Sequence, residues 1–281
     1  MSSVSRAYIN NFTSMLDTVD KRTENAIRQE IEARNLEQRI LDGEADAYDE
    51  LMRIMRVAVP ASSQMSSALS ARFYNGIREG ANERTRYVAE SFDTVDDEEL
   101  YGLVYGQAKE YARGNSTVPL YKSMGGVNST FTRYAANETV RRNAEKDPAK
   151  PKFAIVPGAG ACVFCKERAM SGVILPRAAD VHSHAHCTCV ASPVFKNSTI
   201  QGYDPQKDLD AYYKAKEAYT SGEISDDLKQ RIDAARERHN AAYKEYKRAK
   251  ARGETPTTNV RNPWKENNAY LMVWREMEKQ Q

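Results

Sequence analysis

The residues best suited to chemistry lie close together, between Cys162 and Cys189. These 28 residues contain all four cysteines of the chain and three of its four histidines. They are arranged as a pair, Cys162–Cys165 (CVFC), and a later run, His182–Cys189 (HSHAHCTC). Two thiolates three positions apart on a turn can hold one face of a tetrahedral ion, and a second pair can close the other face. The pattern therefore predicts a metal site.

Zinc is the favoured ion, in a structural role. The 21 residues from Lys166 to His186 separate the two groups, a spacing similar to that of structural zinc knuckles. If the last two cysteines alternate along a strand, their side chains point to the same side. The predicted ligands are Cys162, Cys165, His184 and one or both of Cys187 and Cys189. The alternatives are buried thiols without metal, or a disulfide formed after the protein leaves the cell.

Catalysis by these residues is less favoured than a structural role. Ser183 lies between two histidines, but side chains adjacent in sequence point apart, and a metal-bound histidine cannot also accept a proton. The chain contains no Gly-x-Ser-x-Gly, His-Glu-x-x-His or phosphate-binding loop. A thiolate-rich site with four protein ligands also leaves no open coordination position. Enzymatic activity is therefore left open, with a structural role preferred.

Helices are predicted before this cluster, because apolar residues recur there at steps of three and four. The first is expected to end at Asp42-Gly43, and the second before Pro60. The predicted helices are Ser5 to about Ile40, Leu51 to Ala58, Met65 to Ile77, one capped by Asp93 or Thr94, and one from Asn128 to about Lys146.

The cluster itself is expected on short strands and turns. Asp147-Pro-Ala-Lys-Pro151 is rich in residues that break regular structure. After it, Phe153–Pro157, Val173–Leu175 and Val190–Phe195 are candidate strands.

Helical signals return after the cluster. Asp204-Pro205 is an N-cap followed by proline at the first helical position, and that helix is expected to end at Ser221-Gly222. Ser225 caps the next, which reaches Gly253 and carries His239 on a heptad-like apolar seam, so we expect an antiparallel hairpin with a packed histidine. A terminal helix beginning at Asn262-Pro263 and carrying two tryptophans either docks on a partner or folds back on its own core.

The predicted fold class is therefore mostly α, with a helical N-terminal region and a C-terminal helical hairpin flanking a small α+β module stapled by zinc. The expected boundaries are 1–146, 147–200 and 201–281. The 35 alanines against 12 leucines fit closely packed helices better than a thick aliphatic sandwich.

Charge disfavours a globally basic nucleic-acid binder, because 41 basic residues are nearly balanced by 39 acidic ones. Only the segment Lys229 to Arg252 is strongly basic, with nine basic and three acidic residues. It either lies along DNA or is a solvated helix face.

Membrane insertion and secretion are not expected. The chain has no apolar run of about 18 residues, and its first residues lack the apolar centre of a signal peptide. The sequence therefore predicts a soluble protein made in a cytoplasm.

The order of elements from Arg141 to Phe195 resembles that of a known phage family. It is similar to the MuF-like minor head proteins of tailed bacteriophages, especially the actinobacteriophage versions often labelled capsid maturation protease. In that resemblance Cys162 and Cys165 match the first cysteine pair of the family, and the His-x-x-Cys-x-Cys element corresponds to His184–Cys189. His182 and His186 are additional to the common pattern.

The resemblance implies a minor capsid protein of the virion, present at low copy and made in the host cytoplasm during assembly. Its implied partners are the phage portal and/or the major capsid protein. The label of the relatives raises one alternative, a capsid maturation protease. The basic segment raises another, a zinc-containing protein that contacts packaged DNA through Lys229 to Arg252.

Overall fold

The structure is a computed structural model, and it describes residues 2–158, 161–178, 181, 187–196, 198–253, 256, 260 and 262–279. Within those residues the chain forms nine α-helices and four short strands, which confirms the mostly α fold class. In chain order they are β1 (Ser2–Val4), α1 (Arg6–Ala33), α2 (Leu36–Leu41), α3 (Ala45–Gly80), α4 (Asp97–Ala112), α5 (Leu120–Lys146), β2 (Lys152–Val156), α6 (Val163–Ala169), β3 (Val190–Val194), β4 (Ser198–Ile200), α7 (Pro205–Ser221), α8 (Asp226–Ala251) and α9 (Glu266–Lys279).

The chain divides into two compact units. One contains α1–α5 and the four strands, and the other contains α6–α9. Within the described residues, no helix is both long and apolar enough to cross a bilayer.

The first unit is built on α1, α3 and α5, which pack against one another. Helix α1 begins after Ser5, whose side chain accepts a hydrogen bond from the backbone N–H of Tyr8. Its buried face is the one that the sequence predicted, with Ile9, Phe12 and Leu16 fully or almost fully covered. The helix ends earlier than predicted, because Asn35 adopts a left-handed conformation and separates α1 from α2.

The predicted break at Pro60 is wrong. Helix α3 runs through this residue without interruption, so the two helices expected there are one helix of 36 residues. Proline inside a helix removes one backbone hydrogen bond and crowds the preceding turn. The packing of α3 against both α1 and α5 outweighs that local cost.

The predicted start of α5 at Asn128 is also wrong. The helix starts at Leu120, directly after Pro119, and Asn128 is a buried residue of its interior. There its side-chain oxygen accepts a hydrogen bond from Ser62 Oγ of α3 at 2.6 Å. Asparagine is common at helix starts, but here a tertiary contact accounts for it.

Helix α4 begins slightly later than expected. Its N-cap is Asp96, whose carboxylate accepts from the backbone N–H of Glu99, whereas Asp93 or Thr94 had been expected. Asp97, Glu98 and Glu99 make its first turn acidic, which suits the helix dipole.

Two small sheets complete the first unit. Strands β2 and β3 pair antiparallel, with Phe153 opposite Pro193, and confirm two of the predicted strands. The third predicted strand is reduced to a single bridge between Ile174 and Phe153. Strands β1 and β4 form a parallel pair.

The second unit follows the local signals closely. The Asp204 side chain accepts from Lys207 N at the start of α7, and Gly222 ends that helix in a left-handed conformation. Ser225 caps α8 in the same way as Asp204 caps α7. Helix α9 packs against α7 and buries Trp274 in the apolar core of this unit, so the terminal helix folds back on its own unit.

Candidate metal centre

Three of the four cysteines meet in the structure. The sulfur atoms of Cys165, Cys187 and Cys189 all lie within 4.8 Å of one another, and the three side chains are buried. Of the cysteine, histidine and carboxylate side chains in the described residues, these three are arranged so that they could hold a metal ion. Three buried thiols at this separation can hold a metal ion.

The fourth cysteine lies beside the first of these. Cys162 is the N-cap of α6, and its Sγ is 3.6 Å from the Sγ of Cys165 in the first turn of that helix. Cys162 is exposed to solvent, whereas Cys165 is buried. The two cysteines, three positions apart, are thus held at the start of a helix with their sulfurs close together.

The two later cysteines lie in an extended segment directly before β3. The prediction placed Cys187 and Cys189 on a strand, but the strand starts at Val190. The sequence predicted that their side chains would share one side, and both sulfurs are indeed in the cluster.

Close packing of the chain fixes this segment. A Cβ atom on Gly158 would lie 2.3 Å from the backbone oxygen of Thr188, so only glycine allows the two backbones to approach. Thr188 stands between the two cysteines. The close approach of the Gly158 backbone to Thr188 therefore helps to position the second half of the cluster.

A helix side chain also holds the strand that follows. Asn137 of α5 accepts a hydrogen bond from the backbone N–H of Ala191 at 2.8 Å, and Asn137 is buried. The sequence does not reveal this role of Asn137. A single asparagine within a helical stretch belongs to no repeating pattern that would predict a contact 54 positions away.

The linker before β2 is anchored more firmly than its breaker-rich sequence indicated. Asp147 is fully buried, and its carboxylate accepts from Arg78 Nε at 2.9 Å and from the Tyr74 hydroxyl at 3.0 Å. Burial and the nearby Asp147 carboxylate raise the pKa of Tyr74 well above its usual value. Tyr74 therefore remains a hydrogen-bond donor. Its bond to Asp147 anchors the start of the linker between α5 and β2.

The donor set fits a tetrahedral ion with thiolate ligands. With metal–sulfur bonds of about 2.3 Å, two sulfurs on one zinc ion are separated by about 3.8 Å. The Cys162–Cys165 sulfur separation of 3.6 Å is close to that value. The sulfurs of Cys165, Cys187 and Cys189 all lie within 4.8 Å of one another, and Cys162 is outside that group of three.

The predicted ligand His184 lies outside the described residues, as do Ser183 and the two additional histidines, so their part in the site stays a prediction. His239 is not one of the three residues of this cluster. Its Nε2 is 2.9 Å from the Asn262 oxygen and its ring packs edge-on against Trp264, as expected for a packed histidine.

The chain is similar to a known protein family over most of its length. The family model described as VG15 protein matches residues 3–215, which is most of the chain. The chain belongs to the VG15 protein family. This is a phage-type viral protein family, so the chain is a viral protein of that type.

The VG15 match covers helices α1–α6, strands β2–β4, all of β1 except Ser2, and all four cysteines. It ends within α7, so α8 and α9 lie beyond it. No curated protein matches the chain. No solved structure matches it either.

Proposed function

We propose that the chain is a minor head protein of a tailed bacteriophage, similar to the MuF-like proteins, with a structural or assembly role in the virion. The observation that carries the proposal is the VG15 family match over residues 3–215, which makes the chain a phage-type viral protein. The cysteine pattern supports the finer assignment, since three of the four cysteines of the MuF-like pattern, Cys165, Cys187 and Cys189, have sulfurs that cluster.

Zinc is the ion that we propose for the cluster. Cys165, Cys187 and Cys189 would hold it, and the fourth ligand would be either Cys162 or His184. Buried thiolates favour zinc over magnesium or calcium, which prefer oxygen ligands. When bound, zinc would supply a rigid cross-link between segments far apart in sequence, without redox chemistry.

A structural role follows from the ligand count. Catalytic zinc keeps one position for water or substrate, whereas four protein ligands close the coordination shell. Three buried sulfurs with a fourth donor beside them match the closed kind.

The metal assignment is tested by native mass spectrometry of the full chain purified without chelator. We expect one zinc per chain, and we expect Cys165→Ser to lose it. Cys162→Ser and His184→Ala, measured side by side, identify the fourth ligand, and His239→Ala serves as the histidine control that keeps the metal. A chain that binds no zinc, or a Cys165→Ser variant that keeps it, would contradict the assignment.

The proposed partners are the portal and/or the major capsid protein, met in the host cytoplasm during assembly. The test is a phage lacking the gene, complemented with wild-type protein or with Ser183→Ala. A structural role predicts that Ser183→Ala restores infectious particles and leaves cleavage of the major capsid protein unchanged. Loss of that cleavage with normal incorporation of the variant would replace the structural role with the protease alternative.

A further inference from the structure

The second half of α8 differs sharply in charge from the first. Residues 226–237 contain three basic and four acidic side chains, whereas residues 238–251 contain five basic and one acidic. The basic segment recognised in the sequence is therefore not uniform. Its positive charge is concentrated in the last four turns of the helix.

The cations of the first half are neutralised by neighbours. Lys229 pairs with Asp226 at 3.1 Å, and Arg231 pairs with Asp227 at 3.3 Å and with Glu276 at 3.2 Å. Arg236 pairs with Asp233 at 3.4 Å. These charges have local partners and contribute little to any field beyond the helix.

Lys244, Lys247 and Arg248, which we call the α8 basic patch, have no such neutralisation. All three side chains are exposed, and within the described part of the chain none of them forms an ion pair with a carboxylate. Lys247 lies over the ring of Tyr243, 5.8 Å from its centroid, a contact that leaves its charge in place.

Helix geometry brings the three cations together. Positions i, i+3 and i+4 lie on one side of a helix, with Cβ atoms about 5–6 Å apart. Ala249, the buried residue of this stretch, is on the opposite side. The patch is thus a compact group of three positive charges facing solvent.

We propose that the α8 basic patch binds the phosphate backbone of duplex DNA without sequence preference. Lysine and arginine side chains without internal acceptors are the groups that neutralise phosphates and release counterions. Ala241 and Ala251 lie one turn before and one turn after the patch, are exposed, and offer no hydrogen-bonding groups to read base edges.

The aromatic residues favour a duplex over a single strand. Proteins that bind single strands stack bases on exposed rings. Tyr243 and Tyr246 are both half-buried, and Lys247 covers the first of them, so no fully exposed ring flanks the patch. The patch therefore suits a backbone surface rather than unstacked bases.

This proposal does not depend on the minor head assignment, because α8 lies beyond the residues that match the VG15 family. A chain that fails to enter the virion could still bind DNA through this patch. The two proposals therefore fail separately.

The experiment measures binding of the full chain to a fluorescent duplex of about 30 base pairs by anisotropy over a series of KCl concentrations. The patch variant is Lys244→Gln/Lys247→Gln/Arg248→Gln. Its matched control, Lys229→Gln/Arg231→Gln/Arg236→Gln, removes the same three charges where they are paired. Circular dichroism and tryptophan fluorescence verify that both variants are folded.

We expect wild type to bind in low salt with an affinity that falls steeply as salt rises. The slope of log K against log salt is negative. In the patch variant its magnitude should be smaller by about 2.7, which is about 0.9 for each lost phosphate contact. The control should keep most of the wild-type slope. Equal losses in both variants, or no wild-type binding in low salt, would overturn the proposal.

A parallel titration with polyglutamate separates DNA from an acidic protein surface. The proposal predicts weaker binding to polyglutamate than to the duplex. A patch variant that loses polyglutamate binding but keeps its DNA affinity would show that the patch takes an acidic protein instead.

Discussion

The two units of the chain are stabilised by different kinds of interior. Among the described residues, every buried polar or charged side chain lies between Ser62 and Ser192, in the unit of α1–α5. The core formed by α7–α9 is apolar and aromatic, with Tyr212 packed edge-on against Trp274, and its ion pairs are on the surface. The first unit therefore combines an apolar core with particular buried polar partners, whereas the second depends on apolar burial.

The difference matters because removing one partner of a buried ion pair strongly lowers the stability of the fold. Arg133 of α5 has a side chain only 2% exposed, and it donates to Asp17 and Asp20 of α1. An apolar core instead loses stability in proportion to the volume removed. The positions that tolerate change least should accordingly be the polar contacts of α5.

The largest expected effect is that of Arg133→Ala, which removes the buried cation that pairs with the carboxylate of Asp20. We expect a loss of about 3–5 kcal/mol in the free energy of unfolding, measured by hydrogen exchange of α5 amides. Arg56→Ala is the control, since Arg56 and Asp97 form an exposed pair that is worth at most about 1 kcal/mol. Similar losses in the two variants would mean that the buried charge has no special weight.

A smaller effect is expected from Ile232→Val in the apolar core of the second unit. Ile232 is 1% exposed, and removing one methyl group from such a position costs about 0.5–1.5 kcal/mol. Both tryptophans of the chain, Trp264 and Trp274, lie in this unit, so tryptophan fluorescence during denaturation reports on it. A loss as large as that of Arg133→Ala would contradict the contrast between the two interiors.

An acid-dependent effect is expected from Glu138 of α5. Burial raises the pKa of Glu138, but hydrogen bonds from Arg141 and Arg142 outweigh burial and hold its pKa below the usual value. A lowered pKa in the folded state contributes stability above the usual glutamate value of about 4.3. That stability is lost as the pH falls through the folded pKa.

Glu138→Gln should therefore differ most from wild type near neutral pH, and the difference should shrink below about pH 4. Urea denaturation at several pH values measures it. Glu145→Gln is the matched control, since Glu145 also pairs with Arg141 but is about half exposed. A constant difference between Glu138→Gln and wild type at all pH values would show that the charge of Glu138 is not responsible.

The smallest effect on stability is expected from the α8 basic patch. Because Lys244, Lys247 and Arg248 are exposed and unneutralised within the described structure, their replacement by glutamine should change the unfolding free energy by no more than about 0.5 kcal/mol. The same variant should lose salt-dependent DNA affinity. A large destabilisation would mean that these side chains serve the fold.

Local signals explain which parts of the fold could be predicted. The starts of α7 and α8 were placed correctly because Asp204 and Ser225 cap them through contacts within one turn. Pro60 and Asn128 were misread because packing between distant helices decides their environment. The second unit is therefore the more predictable of the two.

The candidate site shows the same division. The cysteine spacing was informative because a pair three positions apart on a helix start brings its sulfurs together without help from the rest of the chain. The supports of the site were not visible, because Gly158 and Asn137 act on Thr188 and Ala191 across long stretches of sequence. Such contacts depend on the assembled fold.

The most direct test of the central claim is quantitative mass spectrometry of purified mature virions and of empty heads of the phage that encodes the chain. The account predicts that the chain is a constituent of the particle at a copy number far below that of the major capsid protein. Its absence from both kinds of particle, with the chain found only in the infected-cell lysate, would contradict the assignment as a minor head protein.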